Sequence, residues 1–378
     1  MDFPYIILIF ILLIFLIKSW NGNRRQKYFY YSSVLTFAFV AFRACVVGAD
    51  TYNYTLGFLR KADYYWDVEP LYKLYQNVLS GIWKNEVFFI FTNTILSLAP
   101  IYYLVKRESS NAILSIFAFF IFQIYLPYFV ALRQILGIAL LLLGVIAVIN
   151  NKKRRWFLYG AFACCAYFMH NSTIINSILF FILYFVPLNN RRTALVIILT
   201  TAAIGIVSQN LKLSELFNMY LNMNIGLTTD RLNAYVQDDQ LNDASNAVNM
   251  IWLLRYSIVG VFVFYFIDES KLNHWFTKIY LLSVVISNIF FNVDMITRMN
   301  LAFNLFSIIT FTWGFSERYQ KYIREHEYFK FIGPCLILFF LQSYVRSQIG
   351  YDLNDSSRMH PYYFFWEDYH THPSITRF

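Results

Sequence analysis

Residues 126–149 read LPYFVALRQILGIALLLLGVIAVI: a proline turn, an Arg-Gln pair at 133–134, and then a run from Ile135 to Ile149 that carries no charge. A continuous apolar run of this kind does not alternate as a barrel strand would, and with its flanks it is long enough to cross a bilayer core as an α-helix. Runs like it recur from Phe3 to Val345, separated by short basic clusters. The composition agrees. Of 378 residues, 58% are hydrophobic, 21% aromatic and only 14% charged, against about 25% charged in soluble domains. The sequence therefore predicts an all-α polytopic membrane protein and excludes a water-soluble enzyme.

Twelve candidate spans follow, at 3–17, 28–47, 87–105, 111–130, 133–149, 156–169, 173–187, 194–208, 248–267, 275–292, 298–314 and 329–345; several are short, which gives 10–12 transmembrane helices. Phe3 to Ile17 has no basic residue before it and Lys18, Arg24, Arg25 and Lys27 after it, the order of a retained first span rather than a cleaved leader. The formal charge of +9 does not point to nucleic acid, because Lys106 and Arg107, Lys152 to Arg155, and Arg191 and Arg192 fall between spans on one side. Basic loops resist translocation, so that side should be cytoplasmic. The long segments 48–86 and 209–247 and the tail 346–378 then fall outside, and residues 1–378 read as a single transmembrane domain. Within 48–86, Leu71, Leu74, Tyr75, Val78, Leu79 and Ile82 recur on a helical period too short to span, which suits an amphipathic helix at the outer interface. Cys45, Cys164, Cys165 and Cys335 all lie in apolar runs and suggest neither disulfides nor zinc.

An ionisable residue at the edge of an apolar region costs several kcal/mol unless a partner or a wet cavity receives it, so these residues are the candidates for chemistry. On the expected topology they collect at the outer ends of the spans: Arg43, Asp50, Arg133, His170, Arg255, Asp294 and Arg298. Asp50 and Glu69 offer carboxylates for proton removal from a hydroxyl, although Asp50 in Gly48-Ala49-Asp50-Thr51 also suits a turn cap. Arg133, with Gln134 beside it, opens an uncharged run, where a guanidinium either grips phosphate oxygens or snorkels to the interface. His170-Asn171-Ser172 reverses an apolar hairpin, and its imidazole titrates near neutrality. Arg298 faces either Asp294 or phosphate, and Arg255 lies inside a span as drawn. Asp238, Asp239 and Asp243 have oxygen-ligand spacing, yet acidic loop residues are usually solvated; no metal and no cofactor is assigned. No Walker loop, Gly-x-Ser-x-Gly or His-Glu-x-x-His occurs in the chain.

The order of these features resembles the EpsG family of bacterial exopolysaccharide proteins, within the wider set of Wzy-like polysaccharide polymerases. Carrying it are Gly48-Ala49-Asp50-Thr51-Tyr52 after the second span, Glu69-Pro70-Leu71-Tyr72 before the amphipathic helix, Arg133-Gln134-Ile135-Leu136-Gly137-Ile138-Ala139, His170-Asn171-Ser172, and Arg298. The resemblance implies a membrane glycosyltransferase of the C-type fold in the bacterial inner membrane. It would join undecaprenyl-pyrophosphate-linked oligosaccharide units at the outer face into exopolysaccharide, O-antigen or capsule. Its partners would be that polyprenyl pyrophosphate substrate, membrane lipid and a chain-length regulator, with no nucleic acid. In that scheme Arg133, Arg255 and Arg298 neutralise the leaving pyrophosphate, Asp50 or His170 takes the acceptor proton with Glu69 as a third choice, and Tyr52 stacks on sugar.

Two other classes compete. A flippase for the same lipid-linked oligosaccharide would be expected to show internal repeats and helices broken at midplane. A membrane O-acyltransferase would be expected to place a catalytic His or Arg toward the cytoplasm. Neither pattern stands out in the sequence.

Overall fold

The computed structural model describes residues 2–20, 24–60, 68–150, 153–210, 246–290, 294–349 and 359–368. These are helical throughout apart from turns and one isolated bridge, Arg43 to Phe364. The chain divides into two compact units, Met1–Leu179 with Lys330–Phe378, and Phe180–Phe329.

The first unit contains α1 (Phe3–Ser19), α2 (Arg25–Ala41), α3 (Ala49–Arg60), α4 (Pro70–Ile82), α5 (Glu86–Glu108), α6 (Ala112–Ile121), the single turn α7 (Pro127–Val130), α8 (Leu132–Asn150), α9 (Arg155–Met169) and most of α10 (Thr173–Phe185). Later in the chain come α11 (Arg191–Asn210), α12 (Asn246–Phe266), α13 (Glu269–Leu272), α14 (Trp275–Ile289), α15 (Asp294–Asn304), α16 (Ser307–Trp313) and α17 (Glu317–Glu325). After a 3-10 turn, α18 (Ile332–Ile349) rejoins the first unit. Four stretches are long and apolar enough to cross a membrane: Glu86–Glu108, Leu132–Asn150, Arg191–Ser208 and Glu327–Ile349. Five shorter apolar helices accompany them among the described residues.

The pattern of exposure is that of a protein solvated by lipid. On α1, Tyr5, Leu8, Ile9, Leu12 and Leu16 are buried, whereas Phe3, Ile7, Phe10, Ile14 and Ile17 form an exposed stripe at helical spacing. An uncovered stripe of large apolar side chains is unfavourable in water but costs nothing against acyl chains. The outer faces of α10 and α11 repeat it with Ile178, Ile182 and Phe185, and with Val196, Leu199 and Val207.

Three expected spans are interrupted. The run 111–130 stops as α6 at Ile121; Gln123 takes a left-handed backbone (φ 59°), and Pro127 then opens α7 with its φ already set for a helical turn. Every residue of α6 from Ile113 to Ile121 is buried, so it is a core helix rather than a lipid-facing span. The run 28–47 ends at Ala41, and at Gly48 the chain comes against the Phe129 backbone. Gly48 has φ 103°, and a Cβ there would lie 2.1 Å from the Phe129 carbonyl oxygen, so only glycine fits. The run 298–314 is split into α15 and α16 at Leu305 and Phe306. Conversely, part of the segment read as the loop 48–86 forms α3, and the expected amphipathic helix is present as α4. On α4 Tyr72 and Leu79 are buried, while Leu74, Val78 and Ile82 are exposed.

Arg43 sits in the break after α2 and is 1% exposed. Its Nη2 donates to the Tyr128 carbonyl at 3.0 Å and to Thr51 Oγ1 at 3.3 Å, and the guanidinium lies 4.6 Å from the Phe129 ring centroid. Backbone carbonyls, a hydroxyl and a ring face receive this cation, which makes it a clamp between α2, α3 and α7. Residues 359–368, within the expected C-terminal tail, run back over the same break: the Ala44 N–H donates to the Tyr363 carbonyl at 2.8 Å, and the Phe365 N–H to the Phe42 carbonyl at 3.0 Å.

Candidate active site

The first unit brings three of the predicted site residues together. Glu69 is the residue before α4, with Pro70 at the first helical position; Arg133 is the second residue of α8; His170 terminates α9. Glu69 Oε2 accepts from Arg133 Nη1 at 2.7 Å, while its Oε1 lies 3.1 Å from His170 Nδ1 and 3.3 Å from the Asn171 backbone N–H. The partners are separated by 64 and 101 positions in the chain. Arg133 Nε donates to the Tyr54 hydroxyl at 2.8 Å, and its guanidinium lies 5.4 and 5.9 Å from the ring centroids of Tyr54 and Tyr72. Three helices and one turn thus converge on one carboxylate.

Local sequence explains each placement. Asn111 and Asn85 side chains cap α6 and α5, but Glu69 makes no such cap and its carboxylate is left for the tertiary contacts. The turn after α9 is held by Thr173, whose N–H and hydroxyl both donate to the His170 carbonyl at 3.0 and 2.8 Å. Close approach of α8 and α9 depends on Gly137, one turn beyond Arg133. A Cβ there would meet Thr173 Cγ2 at 2.9 Å and His170 Cβ at 3.3 Å.

Access decreases in the order His170, Arg133, Glu69, with side chains 24%, 12% and 9% exposed. Burial alone would raise the Glu69 carboxyl, but the His170 hydrogen bond and the Arg133 charge overcome it and hold the group at about 2. Glu69 is therefore ionised and can only accept. His170 Nδ1 must then carry the proton it shares with Oε1, so Nε2 is the ring nitrogen left for other contacts. Burial pushes the Tyr54 phenol up to about 12, against the pull of Arg133, so it stays neutral. Two of the five guanidinium N–H bonds of Arg133 are used by Glu69 and Tyr54, and three remain for an anion.

The other predicted residues are placed differently. Asp50 is in the first turn of α3, one turn before Tyr54, and its charge acts on that phenol; Tyr52 is half-buried on the same helix. Gln134 is 5% exposed, packed within the unit beside Arg133. Arg255 and Arg298 belong to the second unit. There Arg255 Nη2 donates to the Tyr256 hydroxyl at 2.9 Å, and Arg298 is exposed on α15. The side chain of Asp294, together with Tyr64, Tyr65, Trp66, Asp238, Asp239 and Asp243, lies outside the described residues. Sequence reasoning missed the part played by Tyr54. Its signal was the four-residue spacing from Asp50, which puts both on one helix face once 49–60 is read as a helix.

A half-buried cation and carboxylate beside a histidine with a free ring nitrogen can move a proton and hold an anion in one place. Comparison with known proteins gives the chain a family: a family model described as the EpsG family matches residues 27–364, nearly the whole chain. The chain belongs to the EpsG family. Members of this family are Wzy-like polysaccharide polymerases, so the general activity is that of a polymerising glycosyltransferase on lipid-linked oligosaccharide, in a multi-pass membrane protein. Among curated proteins and solved structures nothing matches. The EpsG match spans all the residues of the Glu69 cluster.

Proposed function

We propose that this chain polymerises undecaprenyl-pyrophosphate-linked oligosaccharide repeat units at the outer face of the inner membrane, as a glycosyltransferase of C-type architecture. Its centre is the cluster of Glu69, Arg133 and His170. The observation that carries the reading is the convergence of Arg133 and His170 on Glu69 from positions 64 and 101 residues away. Partly desolvating a carboxylate, a cation and an imidazole at the end of an apolar helix carries a penalty that their mutual contacts must offset, and such an arrangement suits a site where charge develops during reaction.

In the proposed step the acceptor sugar hydroxyl gives its proton to His170 Nε2 as its oxygen attacks the anomeric carbon of the donor. The bond from that carbon to the pyrophosphate oxygen breaks, and the lipid pyrophosphate leaves with the electron pair. Arg133 meets the growing negative charge with its remaining N–H groups, in a site where little water competes. Glu69 fixes the imidazole tautomer and balances the imidazolium that forms, as the carboxylate of a catalytic triad does. Asp50 adds negative charge beside Tyr54 and offers a second base on the α3 side; Tyr52 offers a ring for sugar stacking.

The test is chain extension by purified protein in proteoliposomes given a polyprenyl-pyrophosphate oligosaccharide. Wild type lengthens the glycan, and Arg133→Ala abolishes extension while remaining inserted. Labelled lipid crossing the bilayer with no lengthening would replace the reading with a flippase. Cysteine labelling at position 170 checks the sidedness: modification only from the cytoplasmic side would overturn the outer-face assignment.

A further inference from the structure

The second unit holds a different concentration of charge. The turn from Leu188 to Arg192 that enters α11, Glu269 and Leu272 of α13 with Asn273 after it, and Arg318 of α17 line a cavity of about 590 Å³, a volume typical of small-ligand sites. Its wall carries Arg191, Arg192 and Arg318 against a single carboxylate, Glu269. Arg191 Nη2 donates to the Ile267 carbonyl at 2.7 Å, and Arg318 Nη2 reaches the Tyr322 hydroxyl at 3.5 Å with its guanidinium 5.5 Å from that ring. These partners orient the two guanidiniums without neutralising them. The nearby carboxylate of Asp268 is occupied by the Arg318 backbone N–H, at 3.4 Å.

Two features go beyond a basic loop that keeps a helix oriented. The Nε atoms of Arg191 and Arg318 are both buried and make no hydrogen bond, and a buried donor without an acceptor calls for a missing one. Burial pushes the Arg191 guanidinium below its ordinary range, and the charge of Arg318 acts in the same direction against the opposing pull of Glu269, Tyr322 and Asp268, so an anion beside both would favour the charged form. Guanidinium forks pair best with the oxygens of phosphate, and basic pockets at the cytoplasmic ends of membrane helices receive lipid headgroups.

We propose that the cavity of Arg191, Arg192 and Arg318 binds a phosphate-bearing anion, supplied either as an anionic phospholipid headgroup or as a free phosphate compound. The site is separate from the Glu69 cluster and does not depend on the polymerase assignment.

Full-length protein in phosphatidylcholine nanodiscs is titrated with inorganic pyrophosphate by calorimetry, and protein in phosphatidylglycerol nanodiscs is examined for retained lipid by native mass spectrometry. One of the two probes is expected to bind: pyrophosphate identifies the free source, phosphatidylglycerol the headgroup. Arg318→Gln should weaken binding at least tenfold, and Arg318→Lys should weaken it less. Arg192 is exposed, so Arg192→Gln keeps the fold and should also weaken binding severalfold. Arg324→Gln, an exposed cation of α17 outside the cavity lining, should leave binding unchanged. Failure of both probes to bind, or binding that Arg324→Gln removes and the cavity variants leave intact, overturns the proposal; the latter result would still leave the polymerase reading standing.

Discussion

Among the described residues the same pair of groups occurs twice, a carboxylate against a histidine Nδ1, in two very different settings. Glu69 and His170 lie 3.1 Å apart with side chains 9% and 24% exposed, and Arg133 bonds the other carboxylate oxygen. Asp2 and His360 lie 2.7 Å apart with side chains 2% and 10% exposed. Asp2 Oδ2 also accepts from the Tyr362 N–H at 2.8 Å, and the rings of Tyr5 and His360 pack edge to face at 5.1 Å. Among the described residues Asp2 pairs with no lysine or arginine. The dyad alone therefore does not mark an active site. What distinguishes the Glu69 pair is an added cation and a more exposed imidazole; the Asp2 pair instead fastens residues 359–368 to the start of α1.

The strongest way to break this comparison is to remove the histidine from each pair. His170→Gln should reduce chain extension by about 10²- to 10⁴-fold, the range of a lost general base. His360→Gln should leave extension of the folded fraction within about threefold of wild type, since a side chain that only packs supplies no proton transfer. The assay is initial rate per inserted protein. Equal losses in both variants would mean that the two dyads do not differ in kind.

Stability should show the reverse order. Asp2→Ala leaves the Tyr362 N–H and His360 without their acceptor in a buried aromatic surround, at a cost of about 3 kcal/mol. Its midpoint in denaturant should fall clearly below that of His170→Gln, measured by tryptophan fluorescence in detergent.

How much of this was legible beforehand follows from the range of the contacts. The helices were readable because their signal is local: apolar periodicity placed α1, α5, α8, α9 and α18 close to their observed positions. Arg133, His170 and Glu69 were conspicuous as polar groups at the ends of apolar runs. Their convergence was not readable, since pairing across 64 or 101 positions leaves no trace in a window of twenty residues. The sequence ranked Glu69 behind Asp50 for the same reason: Asp50 follows a span directly, whereas only the fold brings α4 to α9. The breaks at Gln123 and Phe42 were also missed, because apolar composition continues through them and a turn buried among aromatics looks like more helix.

The Glu69 pair can also be tested by pH. Glu69 is held at about 2 in the fold, below its ordinary 4.5, so it adds stability that is complete above about 4.5 and lost as the pH falls toward 2. Glu69→Gln should flatten that acid limb by about 2 kcal/mol while leaving the curve above pH 6 unchanged in shape. Thermal melts of the two proteins between pH 6 and pH 3 provide the check; parallel curves would show that the Glu69 carboxylate is not stabilised in the fold.

The smallest effect expected is at Tyr54, and it asks how much of the Glu69 site is geometry. Tyr54→Phe keeps the ring beneath the Arg133 guanidinium, at 5.4 Å to its centroid, but removes the oxygen that takes the Nε–H. The cation–π contact survives and Glu69 still holds Nη1, so insertion and fold should be unaffected. The fork loses one of two anchors, which in the proposed step loosens its aim at a pyrophosphate oxygen. The cost should be about 1 kcal/mol, or roughly fivefold, and it should fall on kcat rather than KM if the arginine acts mainly on charge that develops as the bond breaks. A loss confined to KM would place Arg133 on the resting lipid head and shift the leaving-group role to another cation.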